Sequence, residues 1–167
     1  MNDRSSMYAS PVGELLLVID GEGALTRLQF VDDGGAPPPD ADRDDAALAP
    51  VTRQLDEYFA GTRRAFQLTL APRGTPFQRA VWDALGEVPY GETATYGEIA
   101  ARVGRPTASR AVGAANGANP IAIVVPCHRV VGANGTLTGY GGGLDRKQLL
   151  LELEGHTLPG CASPRTA

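Results

Sequence analysis

The spacing of apolar residues changes rhythm along the chain. Between residues 7 and 31 they come in short runs, GELLLVID over Gly13 to Asp20 and ALTRLQFV over Ala24 to Val31. Gly21-Glu22-Gly23 separates the runs, and the pattern predicts two or three antiparallel strands. Residues 32 to 45 are rich in Asp, Gly and Pro, include Pro37-Pro38-Pro39, and read as a solvated loop. The period then lengthens. Leu55, Tyr58 and Phe59 fall on one face of a helix predicted over Leu48 to Ala60, and Gly61 stops it. Ala65 to Leu70 (AFQLTL) alternates again and predicts a strand.

In the second half helical spacing dominates. Thr75 is a candidate N-cap with Pro76 at the first helical position, and Phe77, Val81, Trp82 and Leu85 form the buried stripe, with Trp82 read as core. Thr95 to Val103 predicts a short helix with Ile99 and Val103 inward, broken by Gly104-Arg105-Pro106. Thr107 or its neighbour would cap a second helix from Ala108 to about Gly117, giving a helix-turn-helix pattern. Ile121 to Val125 is an apolar, branched run that reads as a buried strand ended by Pro126. Gly132-Ala133-Asn134-Gly135 carries an Asn-Gly turn signature, and residues 139 to 143 form a glycine-rich loop whose spacing matches no phosphate cradle. A final helix runs from Leu144 to Glu154 with Leu149, Leu150 and Leu153 as its expected buried face. The expected fold is α+β. A small antiparallel sheet with a helix (residues 1–71) precedes a mostly helical part with a winged-helix-like helix-turn-helix (72–160), and residues 161–167 form a tail.

Composition narrows the class. Of 167 residues, 43% are hydrophobic and 20% charged, as in soluble globular proteins. No apolar run approaches the ~20 residues of a membrane span, and the start, MNDRSSMYAS, lacks a secretory core, so a cytosolic protein is expected. A reducing compartment disfavours pairing of the two cysteines, Cys127 and Cys161; two cysteines and two histidines give no zinc spacing, and neither metal nor cofactor is expected. The net charge of −4 is uneven: residues 1–71 carry −6 and residues 72–150 carry +3. The basic part is the one with the helix-turn-helix, the asymmetry of a DNA-facing half, and so modest a surplus implies few phosphate contacts and salt-sensitive binding.

Cys127 stands where the apolar run stops, with His128 beside it. An adjacent imidazole can make a thiolate, the reactive form of cysteine. The bland alternative is a small buried cysteine and a hydrogen-bonded histidine. The neighbours shift the balance. NPIAIVVPCHRVVGANGTLTGYGGGLDRKQLLLELEG resembles the active-site region of the O6-alkylguanine–DNA alkyltransferases, and the likeness covers roughly residues 72 to 155, looser before that. The resemblance implies that Cys127 accepts an alkyl group from damaged guanine (O4-alkylthymine being a second candidate substrate). His128 would deprotonate it through a bridging water, and Glu154 would orient the imidazole. It implies that Asn119 ties the DNA-reading helix to the active-site strand. Tyr96 would donate to guanine N3 and press the phosphate during base flipping, and Arg110 would fill the gap left in the stack. Tyr140, Gly141, Gly142 and Lys147 resemble the lid and donors around the base, and Val130 the carbonyl that reads the guanine amino group. Gly141 stands where many members have serine.

The second helix, SRAVGAANGAN, is almost all Ala and Gly apart from Arg110, Val112 and the asparagines. Small side chains allow close approach to another helix or to a minor groove; Thr107, Ser109, Arg110 and Ala111 are the expected DNA face, with Tyr96 beside it. The expected partner is duplex DNA containing O6-alkylguanine, bound by a monomer with cooperativity along DNA as an open possibility. The N-terminal half shows no catalytic constellation and is expected to give structural support. Three rivals remain: a lesion-binding relative without transfer, which would lack Cys127; a cysteine hydrolase, which leaves the helix pair unexplained; and a transcription factor, for which the Ala/Gly helix offers too few base-reading side chains.

Overall fold

A computed structural model describes residues 2–33, 41–135 and 143–155. Residues Tyr140, Gly141 and Gly142 and the tail from 161 lie outside the described residues. The chain opens with three strands, β1 (Arg4–Ser10), β2 (Gly13–Ile19) and β3 (Leu25–Phe30), joined as antiparallel neighbours. Leu15, Leu17 and Ile19 alternate along β2 into the main core, as period-two patterning requires. Within the stretch read as a solvated loop, a two-residue strand β4 (Asp42–Arg43) pairs in parallel with β1, giving the order β3-β2-β1-β4.

Helix α1 (Ala49–Phe59) buries Leu55 and Tyr58, with Phe59 half-buried beside them. Ala65 to Leu70 does not form the strand that its alternation predicts. The buried Gln54 side chain takes both backbone groups of Gln67, accepting from its N–H at 2.8 Å and donating to its carbonyl at 3.1 Å. Backbone groups satisfied this way have no need of a ladder, and only Leu70 bridges β3, at Leu25.

Helix α2 (Pro76–Leu85) starts as its sequence predicts. Thr75 Oγ1 accepts from Gln78 N at 3.1 Å, and Gln78 Oε1 accepts from Thr75 N at 2.9 Å, a reciprocal capping box. Thr75→Ala is expected to lower stability by about 1 kcal/mol, or a few degrees in a thermal melt, without changing the fold. A second capping box, Thr95 with Glu98, starts α3 (Tyr96–Arg102) directly after the short strand β5 (Ala94–Thr95). Helix α4 (Ser109–Gly117) follows, with Ala108 at the N-cap position and no side-chain cap, so Thr107 does not cap it. Trp82 is core as expected, and its indole N–H donates to the Ala115 carbonyl at 2.8 Å, fixing α4 on α2.

The chain from 119 to 126 departs most from expectation, since Ile121 to Val125 is turn rather than strand. Only Ile121 bridges β3, at Leu28. Asn119 supplies the reason: its Oδ1 accepts from Ile121 N at 3.0 Å and its Nδ2 donates to Val125 O at 2.9 Å, folding the apolar run onto itself. Ile123 takes φ 72°, rare for a β-branched residue, while Val124 N donates to Ala122 O at 2.8 Å. Together these mark a strained γ-turn four residues before Cys127.

A 3-10 turn (Cys127–Arg129) leads into β6 (Val130–Val131), which pairs in parallel with β5. Helix α5 (Leu144–Leu153) closes the described fold. Its buried face matches the predicted one only in part: Leu150 is buried and Leu153 half-buried, but Leu149 is exposed, and Lys147, Leu150, Leu151 and Glu154 line the inside at i, i+3, i+4 and i+7. Arg146 ties α5 to the sheet by a two-pronged pair with Asp32 at 2.7 and 2.8 Å and by donating to Val12 O. Gly13, at φ 126°, holds a conformation that favours glycine, and a Cβ there would come 2.5 Å from that guanidinium. One hydrophobic core runs from Leu15 in β2 to Leu150 in α5, through both halves of the chain. Among the described residues no helix is long and apolar enough to cross a membrane.

Candidate active site

Cys127 is held between two backbone devices. Its N–H donates to Val125 O at 2.8 Å across Pro126, whose φ of −81° and ψ of 65° make an inverse γ-turn. Its carbonyl accepts from the Asn116 side chain of α4 at 3.4 Å. The residue is 6% exposed. Both asparagines therefore link the helix pair to the cysteine segment: Asn116 from within α4, and Asn119 from just after it, to a turn where a strand was expected.

His128 is fully buried. Its Nε2 lies 2.8 Å from Glu154 Oε2, so the acid predicted to orient it does meet it. Glu154 collects further donors. Arg129 Nε reaches its Oε1 at 2.8 Å, Arg129 Nη2 its Oε2 at 3.0 Å, and the Tyr58 hydroxyl its Oε2 at 2.6 Å. Arg129 Nη1 also donates to Val88 O at 2.7 Å. Gly91, at φ 82°, lets the preceding loop approach the Glu154 backbone, since a Cβ there would sit 3.3 Å from its carbonyl oxygen.

Electrostatics follow from this geometry. Burial works to raise the Glu154 pKa, but hydrogen bonds from His128 and Arg129, together with their charges, outweigh it and hold the carboxyl down at about 2. Burial pushes His128 below the usual imidazole value despite the carboxylate beside it, with Arg129 and Lys147 adding to the push. A neutral imidazole facing an ionised carboxylate must carry its proton on Nε2. Nδ1 is then the basic nitrogen; it is buried and has no hydrogen-bond partner among the described residues. Burial lowers Lys147 to about 8, against an opposing pull from the Cys127 sulfur, so a cation faces the thiol. Cation and imidazole together favour the thiolate.

The remaining predicted residues fall on the helix-turn-helix. Arg110, Ala111, Ala114, Gly117 and Ala118 make one exposed face of α4, small except for Arg110. Ser109 opens the helix half-buried and Thr107 is exposed before it. The Tyr96 ring lies against this helix, 3.7 Å from where a Gly113 Cβ would be. Val130 is buried in β6. Three residues of the site were not assigned from the sequence. Arg129 lies inside the motif, Asn116 on the small-residue helix, and Tyr58 was counted as core. For Tyr58 one signal existed, since a buried phenol usually finds a partner for its hydroxyl.

Fold and site define a class: a small α+β protein with a buried His128–Glu154 pair next to Cys127 and beside a helix-turn-helix. Residues 4–72 match the 6-O-methylguanine DNA methyltransferase ribonuclease-like domain, and residues 76–156 match the DNA binding domain of the same family. The chain belongs to the 6-O-methylguanine DNA methyltransferase family. A methylated-DNA–protein-cysteine methyltransferase of Methanosarcina acetivorans is 53% identical over 152 residues, 90% of this chain and 97% of that protein. One from Mycolicibacterium paratuberculosis is 56% identical over 146 residues, 87% of this chain and 88% of the relative. The structure also resembles Mycobacterium tuberculosis OGT in complex with DNA, with a TM-score of 0.84, 49% identity and 92% of each chain covered.

Proposed function

We propose that this protein repairs DNA by moving the alkyl group of O6-alkylguanine onto Cys127, once and irreversibly. The observation that carries the reading is the buried pair of Glu154 and His128, 2.8 Å apart, with His128 directly after a cysteine whose segment is bonded by Asn116 of the small-faced helix and by Asn119 just after it. In this reading His128 Nδ1 receives the thiol proton. The sulfur attacks the alkyl carbon, the S–C bond forms as the C–O6 bond breaks, and the electron pair stays on the guanine. A donor must neutralise that charge, and Tyr96, at the start of α3, fits the role at guanine N3. Lys147 supports the thiolate and donates beside the base, and the Val130 carbonyl reads the guanine amino group.

The base must leave the stack to meet a buried sulfur. The exposed α4 face is slim enough to lie in a minor groove, and Arg110 is its long cation, suited to fill the gap. Thr107, Ser109 and Ala111 line the same end. The product thioether is inert, and nothing in the relay regenerates a thiol from it.

Incubating the protein with a duplex containing O6-methylguanine is expected to add one methyl mass per molecule, on the tryptic peptide holding Cys127 and not on the one holding Cys161. Repeated turnover, or a modification anywhere else, contradicts the proposal.

A further inference from the structure

We infer that Tyr58, from the N-terminal half, is a positioning residue for alkyl transfer: its hydroxyl shares Glu154 Oε2 with the His128 ring and so sets the proton affinity of the base. This rests on the reading of Cys127 as the alkyl acceptor.

Tyr58 is fully buried on α1, and 96 residues separate it from the carboxylate that it meets at 2.6 Å. Its ring is fixed by Phe59 edge-on at 5.2 Å, Phe66 at 5.5 Å and Tyr90 edge-on at 6.2 Å. The hydroxyl therefore has one direction in which to point. Burial, then the Glu154 charge and hydrogen bond, raise its pKa above the ordinary phenol value, so it stays a donor at every working pH.

The groups facing the relay are Tyr58 from α1, Tyr90 from the loop after α2, Cys127, His128 and Arg129 from the 3-10 turn, and Lys147 from α5. Glu154 Oε2 receives three of their donors: the phenol, the Arg129 Nη2 and His128 Nε2. Each donor draws charge from the oxygen that the imidazole would otherwise hold alone. With the phenol present, the carboxylate attracts a protonated imidazole less strongly, and His128 stays neutral to lower pH. With the phenol gone, the carboxylate is left more basic and His128 takes a proton more readily. A base already protonated cannot accept the thiol proton, so loss of the phenol should act on the acid side of the pH profile.

Tyr58→Phe keeps the ring and removes the donor. The rate of Cys127 alkylation, followed by mass against pH, is expected to show its acid limb moved up by about one pH unit, making the variant about fivefold slower where the wild type runs at half its maximum but within about twofold at the plateau. With only two histidines in the chain, 15N-imidazole NMR resolves the ring titration, and the His128 midpoint should rise with the acid limb. Site-specific 3-fluorotyrosine at position 58, a stronger donor of nearly the same shape, should move both in the opposite direction. A structural role alone would lower the reactive fraction at every pH and leave both midpoints in place, and that result overturns the inference. If the wild type itself gains no alkyl mass on Cys127, the functional reading fails instead.

Discussion

Glu154→Gln is expected to slow alkylation of Cys127 on the order of 10²–10³-fold, with Cys127 itself unchanged. The substitution keeps the shape of the side chain and removes its charge. An amide presents one acceptor and one double donor to a site whose four contacts are all donated by its neighbours: Tyr58, His128 and Arg129 twice. If the amide nitrogen turns to His128, the imidazole must accept at Nε2 and carry its proton on Nδ1, which blocks the base. In either orientation the amide nitrogen meets an Arg129 donor, because the guanidinium reaches both oxygens, and that guanidinium, 7% exposed, loses its counter-charge. The second effect reaches stability, because stranding one partner of a buried ion pair costs roughly 3–5 kcal/mol. A chain of this size would then melt about ten degrees lower. Single-turnover rates measured well below the new melting point separate the two effects. A variant that melts lower but alkylates at the wild-type rate would remove Glu154 from the chemistry and leave it a structural anchor.

The same site shows where a sequence can and cannot be read. Thr75 and Pro76 were legible because a cap is a local device, though its partner Gln78, three residues on, emerged only from the structure. The order Tyr96, Arg110, Asn119, Cys127, His128, Glu154 was legible as a family pattern. The run IAIVV was misread because strand propensity describes how residues fit a pleated surface, whereas one asparagine before it closes both ends of the turn. AFQLTL failed for a related reason, with Gln54 replacing the neighbouring strand. Helix α5 was rotated by a rule that is usually sound, that leucines face inward and charges outward. Here Lys147 and Glu154 define the inner face because each has a buried partner in the site, and Leu149 is displaced to solvent. Tyr58 was legible as core but not as part of the site, since its partner lies 96 residues away and the need of a buried hydroxyl for an acceptor does not say which one. The N-terminal half, expected to be a support, thereby touches the His128–Glu154 pair.

Lys147 provides the sharpest opposition between stability and reactivity. A buried ammonium is costly, and the fall of its pKa from 10.5 to about 8 reflects chiefly that desolvation. The unfolded chain keeps this proton up to about pH 10.5 but the folded chain releases it near 8, so unfolding takes up a proton between those values. Stability must therefore rise with pH across that window, and the cost of burying the charge is felt in full below it. Lys147→Met fits a flexible apolar chain into the same space. It is expected to raise stability at pH 7 by about 1–2 kcal/mol and to abolish the alkaline rise. The gain comes with a loss at Cys127, which no longer has a cation facing its sulfur. If the thiol pKa rises by about one to two units, alkylation at pH 7 slows by about 10- to 100-fold. Raising the pH to 9 should then recover most of the rate, because hydroxide supplies the thiolate that the ammonium had favoured. Denaturant melts at pH 7 and 9, run beside single-turnover alkylation at the same two values, test both halves. A variant that is slow at pH 7 and equally slow at pH 9 would show that the ammonium acts on the guanine and not on the sulfur, and a variant that is less stable at pH 7 would show that its buried charge is fully compensated.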